Sequence, residues 1–232
     1  MRKFLLCILL ALLMFFCAST HAGVVIGGTR FIYGEGRSSL DVSLQNDSDS
    51  AWLINSKVLS AERWPGAEVP DLSAAPFIVT PPLFKLPANQ ANKVRLIRTG
   101  VPLPEDRESL FTLSVATIPA GTVGPNSVQM GVRSALKLIY RPKGLAGDPA
   151  QAYSQLRWSR TADGVKVENP TPFYVTLFMS EINGRPIDNA GVVAPRSTRT
   201  FNGCQHTAAC PIRWQTLNDY GRVMPPLTSQ VQ

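Results

Sequence analysis

Three side chains able to bind metal or exchange electrons, Cys204, His206 and Cys210, fall within one short segment near the end of the chain. They supply three zinc ligands where a structural site uses four. Their C-x5-C spacing also departs from the two-residue spacing of thiol oxidoreductases. Histidine occurs only at His21 and His206. A Ser-His-Asp triad needs its base beside a nucleophile and an orienting acid, and no such group is legible. The segment GVVIGGTR lacks the G-x-G-x-x-G order of a dinucleotide loop. These residues predict a protein that is not an enzyme and uses neither metal nor cofactor.

The chain opens with Arg2 and Lys3, an apolar run from Phe4 to Phe16, and then small and polar residues to Ala22. That three-part layout predicts a signal peptide over 1–22, cut after Ala22, with Thr20 and Ala22 at the small-residue positions. The apolar run is too short to span a bilayer comfortably, so no membrane insertion is expected after cleavage. Phe15 and Phe16 argue against a lipid-modified Cys17. Cleavage removes Cys7 and Cys17 and leaves Cys204 and Cys210. In an exported protein, such a lone pair most simply forms a disulfide. Cleavage also removes two cations and no acid, bringing the formal charge from +7 to +5. The remaining cations are scattered, which argues against nucleic acid and for acidic partners or a site wanting a few cations.

Short apolar or alternating runs separated by Gly, Pro, Asn, Asp and Ser dominate the rest, and helical periodicity is nearly absent. Strands are predicted at 24–33, 38–46, 51–59, 76–80, 93–98 and 109–118. One long strand follows over SVQMGVRSALKLIYRP, residues 127–142, whose period-two alternation gives the strand signal. RPKGLAGDPAQ, residues 141–151, then breaks the pattern. Further strands are expected at 155–160, 164–169, 173–180, 197–202, 211–217 and 220–231. The predicted fold is all-β: two consecutive immunoglobulin-like β-sandwich domains. The divisions are 23–143, a linker at 144–152, and 153–232. No tandem repeat is visible.

Six phrases occur in an order that resembles the periplasmic pilus chaperones, the PapD-like family of the chaperone-usher pathway. They are TRFIY, VTPPLFKL, DRESLFTLSVATIP, LKLIYRP, ENPTPFYVT and LNDYG, and together they cover almost the whole mature chain. Ser114 stands where the family pattern usually carries asparagine. The eight residues AGTVGPNS between Pro119 and Val128 resemble the short-loop branch. The resemblance implies a boomerang arrangement in the periplasm, with a cleft between the domains. The partners it implies are pilus or fimbrial subunits and an outer-membrane usher. Self-association of the unloaded protein is consistent with an apolar edge strand. A secreted immunoglobulin-like pilus subunit or binding module is the alternative reading.

The family lends a strand to subunits that lack one of their own. By resemblance, Val128, Met130 and Val132 are the apolar knobs of that donor strand; the residues alone favour their facing the chain's own core. Arg30 and Lys137 are implied to anchor the subunit's C-terminal carboxylate, although two unrelated surface cations is the default for any such pair. Glu108, Arg141 and Asp219 are implied to form a structural charged network between domains. Gln129 and Arg133 are expected to face solvent.

Overall fold

The computed structural model describes residues 23–121, 128–205 and 209–231. The expected signal peptide, His206 and most of the hairpin connection before Val128 lie outside them. Two all-β units follow one another along the chain. The first contains β1 (Val24–Ile26), β2 (Arg30–Gly34), β3 (Leu40–Asn46), β4 (Trp52–Leu59), β5 (Phe77–Thr80), β6 (Leu83–Leu86), β7 (Ala91–Arg98), β8 (Ser109–Pro119) and β9 (Val132–Arg141). They form two sheets, ordered β1-β3-β7-β5 and β2-β9-β8-β4-β6. The β2–β9 pair is parallel, whereas the other pairings in this unit are antiparallel.

Alternation explains which faces meet. In β3, Val42, Leu44 and Asn46 are buried while Asp41, Ser43 and Gln45 are exposed. Val94 and Leu96 of β7 and Phe111, Leu113 and Val115 of β8 join the same core. The remaining side chains of β8 from Ser109 to Thr117 are buried too, because the sheet's other face is also covered. Leu110 and Ile139 on that face pack with Ala61 and with Val192 of the second unit.

The second unit contains β10 (Arg157–Thr161), β11 (Gly164–Asn169), β12 (Val175–Ile182), β13 (Arg185–Pro186), β14 (Val192–Val193), β15 (Ser197–Phe201), β16 (Cys210–Leu217) and β17 (Leu227–Val231). One sheet is β10-β11-β15; the other is β13-β12-β16-β17, with β14 added to β12. Its core is built around Trp158, Val165, Val167, Phe173, Ile212 and Trp214. Cys204 and Cys210 form a disulfide at the edge of this core.

Four departures from the sequence reading have physical causes. The strand expected at 24–33 is two strands in different sheets, broken at Gly27 and Gly28, where Gly28 N donates to Ile26 O at 2.8 Å. The long strand is regular only from Val132 to Arg141. Its antiparallel ladder with β8 ends at Thr117↔Val132, close to the end of β8 itself. The expected linker enters a 3-10 helix at Pro149–Gln155. The Asp148 side chain caps it by accepting from Ala150 N, and proline at its start presets the backbone. The terminal strand is confined to Leu227–Val231, and Pro225 and Pro226, which lack amide donors, sit just before it.

A repeat not visible by inspection of the chain appears in three dimensions. Asn46 ends β3 and Asn169 ends β11, and each is fully buried. The Asn46 amide donates to Ser50 O, Leu86 O and Pro87 O, and its oxygen accepts from Ser48 N and Oγ. The Asn169 amide donates to Phe173 O, Val193 O and Ala194 O, and its oxygen accepts from Thr171 N and Oγ1. The two units share one device for closing a loop onto a strand end.

Candidate functional site: the interdomain face and free edge of strand β9

Strand β9 presents two different faces. Its even residues Leu136, Leu138 and Tyr140 belong to the first unit's core. Before Val132 the chain leaves both the strand and that core. Val132 is 58% exposed, Met130 77% and Val128 89%. These three apolar side chains do not face the chain's own core, which reverses the reading the residues alone favoured. The neighbouring strand β2 pairs with Lys137–Arg141, so, among the described residues, positions 132–136 of β9 have a ladder partner on the β8 side alone. A bare edge with exposed apolar side chains beside it is a template for an added strand.

On the opposite parity of β9, Ile139 and Arg141 meet the second unit, through Val192 and Asp219. Lys137 stands opposite Arg30 in the parallel register, and Ile139 stands opposite Ile32. Among the described residues, neither Arg30 nor Lys137 has a carboxylate oxygen within ion-pair distance. Arg30 Nη1 donates to Leu217 O across the domain boundary at 2.8 Å, while its Nε is buried without a partner. The Lys137 ammonium lies 3.7 Å from the centre of the Trp64 ring. Burial, together with the nearby charges of Arg30 and Arg63, lowers the Lys137 pKa to about 8. Burial also lowers that of Arg30, against the opposing pull of Asp219 and Glu108. Two partly desolvated, unneutralised cations side by side form a site that an anion would relieve.

Glu108, Arg141 and Asp219 come together next to this site. Arg141 Nε meets Glu108 Oε1 at 2.5 Å, and its two terminal nitrogens meet the Asp219 carboxylate at 2.7 and 3.0 Å. The other Glu108 oxygen accepts from Tyr174 N at 2.7 Å, so both carboxylates tie the first unit to the second. Burial raises the Glu108 pKa to about 7 despite the opposing pull of Arg141 and the Tyr174 amide. Arg133 and Gln129 are exposed as expected. Ser114 is buried, and its hydroxyl accepts from Arg133 Nη1 at 3.4 Å.

Sequence reasoning missed the loop after β4. Trp64 and Pro65 lie between predicted strands, and the P-G dipeptide there marks a turn without saying what the turn touches. Pro65 O accepts from Val192 N of the second unit at 2.8 Å.

The family model for the pili and flagellar-assembly chaperone PapD N-terminal domain matches residues 23–146, and that for the pili assembly chaperone PapD C-terminal domain matches 151–227. The chain belongs to the PapD-like pilus-assembly chaperones. An uncharacterized fimbrial chaperone of Escherichia coli, YcbF, is 46% identical over 202 residues, covering 87% of this chain and 85% of the relative. The E. coli chaperone protein FocC is 36% identical over 226 residues, covering 95% and 94%. Among solved structures, the E. coli chaperone DraB aligns with a TM-score of 0.76 at 32% identity, covering 90% of this chain and 97% of that one. A structure of the Salmonella enterica SafA pilin in complex with the SafB chaperone gives the same TM-score at 33% identity, covering 91% and 98%. The cation pair, the bare β9 edge and the charged network are therefore features of a PapD-like chaperone.

Proposed function

We propose that this chaperone binds fimbrial subunits in the periplasm by adding its own strand to them, and that it hands them to an outer-membrane usher. It acts as a binding protein and breaks no covalent bond. The observation that carries this reading is the junction at Lys137. Among the described residues, on one side of it lie two cations with no carboxylate at ion-pair distance, and on the other a strand edge with no partner from 132 to 136. An incoming chain whose carboxylate rests on Arg30 and Lys137 has its backbone placed to run along that edge. The planar guanidinium and the compact ammonium are both suited to a carboxylate. Anchoring the chain end also sets the register, deciding which pockets Val128, Met130 and Val132 enter.

Fully desolvating an apolar side chain contributes roughly 1.5–3 kcal/mol; three such side chains and a backbone ladder supply the favourable terms, part of which the cost of association offsets. Arg141 with Glu108 and Asp219 serves the geometry of the cleft and does not contact the subunit.

The test is co-purification with fimbrial subunits encoded beside the chaperone gene, comparing the natural chain with Arg30→Ala and Lys137→Ala. Capture lost in both folded variants supports the anchor. Unchanged capture moves the binding site elsewhere.

A further inference from the structure

We propose that Trp64 is a positioning residue of the carboxylate anchor, and that the second domain holds it in place through Pro65 and Gly191. The proposal rests on the anchor reading above and assigns a role to a loop which that reading leaves out. Lys137 is a flexible side chain partly withdrawn from water, with no carboxylate to hold it among the described residues. What holds it is the face of an indole ring. An aromatic face attracts an ammonium through its quadrupole without neutralising it. A carboxylate in the same place would also fix the lysine, but it would consume the charge that an incoming chain end needs. Tryptophan therefore orders the cation and leaves it available. Among the described residues, the indole N–H of Trp64, like Arg30 Nε, is buried without an acceptor.

The ring cannot be placed by local structure alone. Trp64 sits in a turn in which its own N–H donates to Ala61 O at 2.8 Å and Ala67 N donates to Trp64 O at 3.0 Å. The rest of the support comes from the second domain. Val192 N and Arg199 Nη1 both donate to Pro65 O, at 2.8 and 3.3 Å, and Val192 packs in the same apolar cluster as Trp64. Two glycines with positive φ make the approach possible. A Cβ on Gly191 would lie 2.2 Å from Pro65 O, and one on Gly66 would lie 2.1 Å from Val192 O. The backbones meet at a distance no other residue pair permits. The anchor is thereby coupled to domain docking: a displaced second domain releases the loop, and with it the ring under Lys137.

The test uses the mature full-length chaperone and one peptide of alternating apolar residues, prepared both as free acid and as C-terminal amide. The acid-to-amide affinity ratio and its pH dependence are measured for the natural chain, Trp64→Phe, Trp64→Leu and Gly191→Ala. The natural chain should prefer the acid, with the preference fading as pH rises through about 8. Trp64→Phe should retain the preference to within about threefold, and Trp64→Leu should reduce it about tenfold. In Trp64→Leu the pH midpoint should also shift, because both the ring's attraction for the charged form and the ammonium's access to water change there; loss of packing elsewhere would not move it. Gly191→Ala should reproduce the leucine variant with the tryptophan intact, and it carries the test alone if Trp64→Leu does not fold. An unchanged ratio and midpoint in Trp64→Leu overturns the role of Trp64, and the same result in Gly191→Ala overturns its support by the second domain. Absence of acid preference in the natural chain overturns the anchor reading itself.

Discussion

Arg30 and Lys137 stand directly opposite each other in a parallel strand pair, two like charges side by side with no carboxylate within ion-pair distance among the described residues. Like charges opposed across a ladder destabilise it, and burial adds to that cost. The arrangement is explained if the compensating charge arrives with the bound chain.

Subunit binding should therefore depend on the protonation of Lys137. Its folded pKa is lowered from 10.5 to about 8, so the unliganded fold gains stability as pH rises from about 8 toward 10.5. Carboxylate binding has the opposite sign, because it needs the ammonium and weakens through the same window. Lys137→Arg should flatten the binding profile above pH 8, as guanidinium stays charged there. Titrations of the two proteins with one subunit peptide would show whether the profiles diverge.

Removing Arg141 should be far worse than neutralising Glu108. Arg141→Ala leaves the Glu108 side chain, 1% exposed, without its cation, a change costing roughly 3–5 kcal/mol. Glu108→Gln removes the charge along with the need for compensation. Because burial raises the folded Glu108 pKa from 4.5 to about 7, the natural protein should lose stability as pH rises between those values. Urea unfolding across that range should show this slope in the natural chain and lose it in Glu108→Gln.

Met130→Asp should abolish subunit capture while leaving the protein as stable as before. The side chain is 77% exposed, and substitutions at such positions usually fall within about 0.5 kcal/mol. Equal unfolding midpoints with unequal capture is the expected result; equal capture would remove Met130 from the binding surface.

The buried asparagines should matter equally in both domains. Asn46→Ala and Asn169→Ala each strip carbonyl groups of their donor, with a penalty of about 1–3 kcal/mol for every group left unsatisfied. Thermal unfolding should show two losses of similar size, each confined to the domain that carries the change.

Reduction of Cys204–Cys210 should loosen only the second domain. The bridge closes a loop with a sequence separation of 6, which the chain-entropy estimate values at about 2 kcal/mol. Proteolysis near β15 and β16 should accelerate on reduction, while binding of the free-acid peptide at neutral pH stays within experimental error.

Much of the fold was written in the alternation of β3, β7, β8 and β9, because which side of a strand is apolar is a property of the strand's own residues. The sequence by itself also determined the two-unit division and the family, since the six phrases span both units in order. It could not decide whether Val128, Met130 and Val132 enter the chain's own core, because period two says only that they share a face. Where β8 ends and where the core ends decided that, and both depend on several strands at once. Gly27 and Gly28 marked a break but not the change of sheet. Trp64 and Gly191 carry no local signal of each other at all. The adjacency of Arg30 to Lys137, the joining of Arg141 to Glu108 and Asp219, and the placing of Trp64 under an ammonium are all products of long-range closure. Tertiary structure alone decided them, because desolvation and charge coupling act through space between residues that the chain keeps far apart.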